Sequence, residues 1–485
     1  MTLWERVFDN AKILLLTEVL NVVAGVATVI VLARLVDVSA LGLYSLSYSL
    51  GAVFAIICLY GANQFLTREI ARHPENLEFW LGNSLAVRLG IALSLFMVCG
   101  VFFIALDYGR VRILIALLLI LNRVLESLLL MFCAIFRGYQ EMRYEGLLRS
   151  ALSAASLLVG LSVLVLSRSL LSFAVVQVVS TALVVFAAYR LVIGRYHVVP
   201  MRSVAPAACM KVFRDGLSFS AYSILLVLFV QTNTIMLSLF KGDLDTGLYT
   251  AGFRFVSALG MGAASITGAL YPAVSQLNIQ DHADEIRLIY LRCTKVLWIL
   301  ASFFSTTLFV FSDEIVYVVY GAGYAPAAAG VRIMAFSLFF SYANVSSTNL
   351  LFCLDQESTA LRILGSGTLF VFIINLVMIP LLGYFGASWT TLIPEVFVLI
   401  LLASALRKIL GRIGTLTLFV KFVGLGVLVC GSALFLHSSP LLVRVAAFLA
   451  AHVAALMAMS IASPWTAIDM LRRKAGALEA ADARS

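Results

Sequence analysis

Gly42-Leu43-Tyr44 is followed 205 residues later by Gly247-Leu248-Tyr249, and Arg6-Val7-Phe8 returns at the same offset as Lys211-Val212-Phe213. Each triplet borders or sits in a long apolar stretch, so the shared offset reads as one membrane unit built twice. A second echo, at an offset of 216, sets Gln140-Glu141 against Gln356-Glu357 and Ser150 against Ser366, with Val159 facing Asn375 as a mismatch. The added length between the offsets falls on the connection around Tyr320 to Gly330. Many secondary carriers are built from halves related by a repeat, with the site at the interface between them. The expected function class is therefore a carrier.

Composition agrees with that reading. Of 485 residues, 62% are hydrophobic and 12% charged, against roughly 45–50% and about 25% in soluble domains. A bilayer core asks for about 20 largely apolar residues per helix. Fourteen such stretches are expected, at about 11–33, 43–66, 79–106, 112–136, 149–167, 169–189, 216–240, 247–275, 288–312, 329–353, 360–380, 384–406, 414–436 and 440–463. They are long and apolar on all faces, without the ten-residue alternation of a membrane barrel. The fold class is all-α and polytopic.

Most of the 34 Lys and Arg residues fall in segments that are cytoplasmic if the N-terminus is inside, as the positive-inside rule requires. Both termini are then cytoplasmic, the repeat is parallel, and the formal charge of +9 reflects topology. A nucleic-acid surface is disfavoured, because the basic residues are scattered over separate loops. The first span is too long for a signal-peptide core and is expected to stay in the mature protein. The boundaries read as an N-terminal six-helix lobe at 1–190, a cytoplasmic linker at 191–215, and a second six-helix lobe at 216–408. A two-helix hairpin at 409–463 and a cytoplasmic tail at 464–485 complete the chain.

Ionisable residues inside spans are costly, about 2.5–3.5 kcal/mol each on insertion scales, and usually face a cavity or a partner. The cations that stand out are Arg88 in span 3, Arg123 in span 4 and Arg254 in span 8. Guanidinium groups match phosphate oxygens in bidentate geometry, so one reading is a cationic substrate cavity. The other is a structural ion pair, which is strong for Arg123 because Glu126 lies three residues on along the same helix face. The acidic set, the candidates for ion coupling, is Glu395, Glu18 and Glu126. Glu395 follows Pro394, which frees the Thr390 carbonyl, and so is a candidate proton or sodium site; a kink beside a hydrogen-bonded acid is the alternative. Gln231, Asn233, Asn344, Asn349 and Asn375 read as interhelical glue.

Catalytic constellations are not evident. The seven cysteines have no CxxC spacing and read as small buried apolar residues, and His452 stands alone in an apolar span. No Gly-rich phosphate loop or nucleophile elbow is present. The expectation is a protein without catalytic residues, metal or cofactor, driven by gradients, the membrane potential or the substrate itself.

Three segments carry a likeness to a known family: LARLVDVSALGLYSLSYSL from Leu32, VVYGAGYAPAAAGVRIMAF from Val318, and VMIPLLGYFGASWTTLIPE from Val377. Over about the first 400 residues the chain resembles the Wzx-type flippases of polysaccharides or lipid-linked oligosaccharides. Their superfamily also holds lipid II flippases and multidrug exporters. The resemblance implies two six-helix lobes around a central cavity, with two further helices in fourteen-span members. It also implies export of an undecaprenyl-diphosphate-linked oligosaccharide from the inner to the outer leaflet of the cytoplasmic membrane. A monomer suffices for that, with polysaccharide polymerase or chain-length proteins as conceivable partners. The family has no fixed cavity-arginine motif, so Arg88 and Arg254 are assigned by location alone. Competing readings are a multidrug or small-molecule antiporter on the same fold and, from another class, a membrane-embedded glycan polymerase or glycosyltransferase. The second would need a larger loop than any present here.

Overall fold

The computed structural model describes residues 3–59, 62–105, 109–198, 204–268, 274, 277, 279–411, 413–435 and 439–458. Among them the regular structure is helical throughout. The helices are α1 (Leu3–Leu35), α2 (Val38–Leu59), α3 (Ala62–Arg72), α4 (Leu77–Ala105), α5 (Arg110–Gly138), α6 (Met142–Ala155), α7 (Leu161–Ser167), α8 (Leu170–Tyr196) and α9 (Pro206–Lys241). They continue as α10 (Asp243–Gly268), α11 (Ile279–Val310), α12 (Ser312–Tyr320), α13 (Ala327–Ala335), α14 (Ser337–Cys353), α15 (Glu357–Leu382), α16 (Tyr384–Leu410), α17 (Thr415–Phe435) and α18 (Leu441–Ala458).

Among the described residues, eleven helical stretches are long and apolar enough to cross a membrane. The remaining expected spans fall on α10, which does not meet that measure, and on the shorter apolar stretches Thr417–Gly431 and Leu441–Met457. The apolar exterior has the form that hydrocarbon requires. On α4, Leu89, Leu93, Met97, Val101 and Ile104 are exposed at helical spacing, a stripe that water would penalise and lipid tails do not. The chain is an all-α, multi-pass membrane protein. The expected linker at 191–215 is largely helical, since α8 runs on to Tyr196 and α9 starts at Pro206. Proline is well placed in that first turn, where its missing N–H costs nothing. Arg202 and Arg412, and Arg472 and Arg473 of the tail, which the positive-inside reading counts as cytoplasmic, lie outside the described residues.

The chain divides into two compact units. The first holds residues 1–258, 313–330 and 361–394, and the second holds 259–312, 331–360 and 395–485. In the second unit α11 packs on α14 and α17, and α17 packs on α18. Its core is built on Trp298, which stacks on Phe339 with ring centres 4.9 Å apart and donates its indole N–H to the Phe339 carbonyl at 3.1 Å. Satisfying that donor lets a large amphipathic ring be buried.

In the first unit the sequence repeat becomes a packing relation. A Cβ at Gly42 would collide with the carbonyl of Asp243, and one at Gly247 would collide with the carbonyl of Val38. Val38 and Asp243 are themselves 205 residues apart. The contact is thus reciprocal, with residue i on j and j on i, as at a two-fold interface. Glycine is required at both positions because backbone meets backbone there.

The first family-like segment and the parts of the other two that belong to this unit, 318–330 and 377–394, meet here. Arg34, in the first, donates to the carbonyls of Val318 and, at 2.8 Å, Val319, capping the end of α12 where the second begins. Cations suit a helix C-terminus. In the third, Gly383 turns the chain at φ +60°. Tyr384 then donates its N–H to Asp245 at 3.1 Å and its hydroxyl to the Pro326 carbonyl at 3.1 Å.

Candidate functional site

The first unit encloses a hollow of about 400 Å³ between α1, α2, α5, α6 and α8. Its chemistry starts on α5. Asn122, Arg123 and Glu126 share a face through their three- and four-residue spacing. Arg123 donates to Glu126, while the Asn122 amide donates to the other Glu126 oxygen at 2.9 Å and its carbonyl accepts from the Thr181 hydroxyl at 2.7 Å. Gly51 on α2 makes room for this: a Cβ there would lie 2.7 Å from Arg123 Cγ and 2.9 Å from its Cβ.

Tyr48, one helical turn after Tyr44, carries the arginines. The Arg123 guanidinium lies 4.5 Å from the centre of its ring and the Arg254 guanidinium 5.2 Å away. Such contacts are worth about 0.5–2 kcal/mol each depending on desolvation. Arg123 is compensated by Glu126. Arg254 is not: among the described residues no carboxylate sits within ion-pair distance of it. Its field reaches beyond the hollow to α12, where burial pushes the Tyr320 hydroxyl up to about 12 while the Arg254 charge pulls against that rise.

A second alternating set lies on α6. Arg149 pairs with Glu18 at 2.7 Å and approaches Glu145 at 3.7 Å. Glu145 is fully buried and is also held by Arg137 Nε at 2.6 Å. Asn21 accepts from Ser153, and Gln177 donates to Ser156 at 2.7 Å. Ser156 opens a π-helical segment, Ser156–Gly160, joining α6 to α7. Such bulges re-aim side chains and recur at functional sites.

Of the residues expected from sequence, the hollow gathers Arg123, Glu126 and Glu18, with Arg254 joined through Tyr48. Arg88 is elsewhere. It is fully buried and cross-links helices, donating to the Ser127 carbonyl at 2.8 Å and to Asn63 at 2.7 Å. Glu395 belongs to the second unit, where Asn344 donates to its carboxylate at 2.6 Å and to its backbone carbonyl at 2.9 Å. Glu18 and Glu126 are both engaged by arginines.

Sequence reasoning passed over Arg149, Glu145, Tyr48, Asn122 and Gln177. Arg149 was recoverable: α6 begins at Met142, seven residues before the expected start of span 5, which puts Glu145 and Arg149 inside the helix at i, i+4 spacing. Among the described residues no group of three or more His, Cys, Asp or Glu is placed to hold a metal.

Two of the expected glue residues, Asn233 and Asn375, form a knot, while Asn349 donates to the Thr267 hydroxyl at 2.7 Å. Asn233 donates to Tyr249 at 3.3 Å and to Thr391 at 3.1 Å, Asn375 donates to Asn233 at 2.8 Å, and the Tyr249 and Thr391 hydroxyls lie 2.9 Å apart. Gln231 accepts from Ser49 at 2.9 Å.

Comparison with curated protein sequences gives no match. Among solved structures the chain is similar to the lipid II flippase MurJ in an inward closed conformation, at 13% identity over 91% of this chain and 97% of that one, with a TM-score of 0.70. It is also similar to an inward-facing multidrug resistance transporter of the MATE family, at 15% identity over 82% and 95%, with a TM-score of 0.63. A third is the MATE multidrug transporter DinF-BH in complex with R6G, at 16% identity over 82% and 96%, with a TM-score of 0.57. These likenesses establish the fold. The model of the family described as polysaccharide biosynthesis protein matches residues 7–278, more than half of the chain and the whole of the hollow's lining. The protein therefore belongs to the polysaccharide biosynthesis protein family, as a multi-pass membrane protein with a fold that lipid II flippase and multidrug transporters share.

Proposed function

We propose that the protein is a flippase that moves lipid-linked oligosaccharide, of the undecaprenyl-diphosphate type, from the cytoplasmic to the outer leaflet of the cytoplasmic membrane by alternating access. The observation that carries this reading is the charged hollow beside Tyr48, which gathers cations and hydrogen-bonding groups among membrane-length helices in a chain of the polysaccharide biosynthesis family. A diphosphate with attached sugars does not cross hydrocarbon unaided, because each buried charge costs several kcal/mol even after relaxation. A polar interior with the Arg254 cation beside it replaces the lost hydration. With the cytoplasm negative, two phosphate charges moving outward gain roughly 4–5 kcal/mol per 100 mV.

In this reading both termini are cytoplasmic. Arg254, which has no carboxylate within ion-pair distance among the described residues, holds the phosphates, and Arg123 and Arg149 line the path. Arg88 holds the helices that frame it. Glu395, already bonded to Asn344, is the leading site for a coupling ion. The test is a leaflet-sidedness assay on vesicles containing the purified protein and a polyprenyl-diphosphate-linked oligosaccharide. Protein-dependent transfer of the sugar between leaflets is expected. No transfer, together with drug efflux from cells carrying the protein, would overturn the flippase reading in favour of a multidrug antiporter.

A further inference from the structure

We infer that the hollow of the first unit is a sugar-recognition pocket for an uncharged stretch of glycan, separate in chemistry from the phosphate-binding cation Arg254. This rests on the flippase reading and deepens it. Among the described residues, the charges that line the hollow cancel. Arg123 is matched by Glu126 and Arg149 by Glu18, each in direct contact, so the lining contributes two cations and two anions. A cavity built for an acidic ligand leaves its arginines unmatched, as Arg254 is left. Here each arginine is already spoken for.

The remaining lining is the set that grips hydroxyl-rich rings. Tyr44 and Tyr48 bring aromatic rings to the lining with centres 6.1 Å apart, Tyr48 also carrying the arginines, and Phe173 lies edge-on to Tyr44 at 6.3 Å. Amphipathic aromatic rings present an apolar face beside a polar tip, which suits a sugar's alternation of C–H faces and hydroxyls. Asn21, Asn122, Gln177, Ser153 and Ser156 add amides and hydroxyls that both donate and accept, and the paired carboxylates offer further acceptors. About 400 Å³ lies within the range of small-molecule pockets, roughly 300–1,000 Å³. That holds a short run of sugars rather than a long chain.

Selectivity follows from charge. A glycan carboxylate entering the hollow meets Glu126 and Glu18, and among the described lining residues its counter-charges are arginines that must first leave those partners. Repulsive elements of this kind are how sites reject near-isosteres.

The closing experiment measures binding, so that it is read independently of transport. Full-length detergent-solubilised protein is titrated with two polyprenyl-diphosphate-linked disaccharides that differ only in the terminal sugar, one a hexose and one a hexuronate. The hexose form is expected to bind roughly tenfold tighter or more, the scale of a like-charge penalty at a recognition surface. Glu126→Gln, which uncovers Arg123, narrows or inverts that ratio. Glu18→Gln, at an exposed position that places little demand on folding, shifts it the same way by less. Equal affinities in the wild-type protein, a preference for the hexuronate, no binding of either, or an unchanged ratio in both variants would overturn the pocket assignment. If the ratio holds while vesicles show no leaflet transfer, the flippase reading fails and the sugar pocket stands.

Discussion

Around Tyr44 the first unit encloses a charged hollow of about 400 Å³. Around Tyr249, one repeat later, the corresponding space is closed by a knot of Asn233, Asn375 and Thr391. The frame is shared: each tyrosine follows a glycine that lies against the other repeat's backbone, and each has an aromatic partner one turn on, Tyr48 in one case and Phe253 in the other. The content differs. Tyr48 carries two guanidinium groups near its ring, whereas Phe253 stacks on Tyr249 at 5.6 Å. Duplication thus preserved the contacts that backbone geometry fixes and left side-chain chemistry free to diverge. The divergence left one side of the fold with a charged hollow and the other with an uncharged rivet.

The frame is where the largest effects are expected. Gly42→Leu and Gly247→Leu each force backbones apart, and each should cost about 3 kcal/mol or more, the upper range of overpacking, seen as loss of folded protein in detergent. If only one of the two were harmful, the contact would not be reciprocal. Next in size is Arg254→Ala. Losing a charge-assisted contact of about 1.5–3 kcal/mol predicts transfer slowed by roughly 10- to 150-fold, with membrane abundance unchanged. Its counterpart on the closed side, Asn375→Leu, should lower stability by about 1–3 kcal/mol through orphaned partners while leaving transfer per folded molecule nearly intact.

Gly51→Ala sharpens the comparison at smaller scale. The new methyl displaces Arg123 from Tyr48, so transfer should fall several-fold while the melting temperature barely moves; an unchanged rate would detach Arg123 from the pathway. The smallest effect is a pH dependence at the membrane edge. Between α5 and α6, Glu141 accepts from Arg195 Nε at 2.7 Å and from the Tyr196 hydroxyl at 2.9 Å, and the Arg195 bond, ahead of Tyr196, holds its carboxyl below the usual range. A carboxyl depressed in the folded state stabilises fully above its unfolded value, about 4.3. That stability is lost as pH falls through the folded value. Wild type should therefore exceed Glu141→Gln in melting temperature by a constant margin near neutrality, and the margin should shrink below about pH 4–5. A margin that grew in acid would contradict the pairing.

The frame was legible in the sequence because backbone contacts constrain residue type and spacing together. Gly42 and Gly247 announced their contact through a shared offset, and the family-like segments turn out to hold Arg34, Gly383 and Tyr384, which cap and turn the helices. Of the fourteen expected spans, eleven correspond, among the described residues, to helical stretches long and apolar enough to cross a membrane. The site was legible only in part. Arg123 and Glu126 declared themselves by i, i+3 spacing, which is local. Whether Arg88 and Arg254 have partners depends on other helices, and no spacing along the chain encodes that: Arg88 meets Asn63 and Ser127, while Arg254 meets Tyr48. Arg149 was hidden by a helix that begins earlier than its apolar run, because Met142–Arg149 reads as loop by hydropathy yet folds as the first two turns of α6.

The asymmetry between the two sides is tested most directly by one paired measurement. Vesicles of equal protein content, carrying wild type, Arg254→Ala or Asn375→Leu, are assayed for leaflet transfer of the same polyprenyl-diphosphate-linked oligosaccharide. The predicted result is transfer by wild type, near-loss in Arg254→Ala, and a rate close to wild type in Asn375→Leu once corrected for folded fraction. Equal losses in the two variants, or none in Arg254→Ala, would contradict the assignment of transport to the charged side.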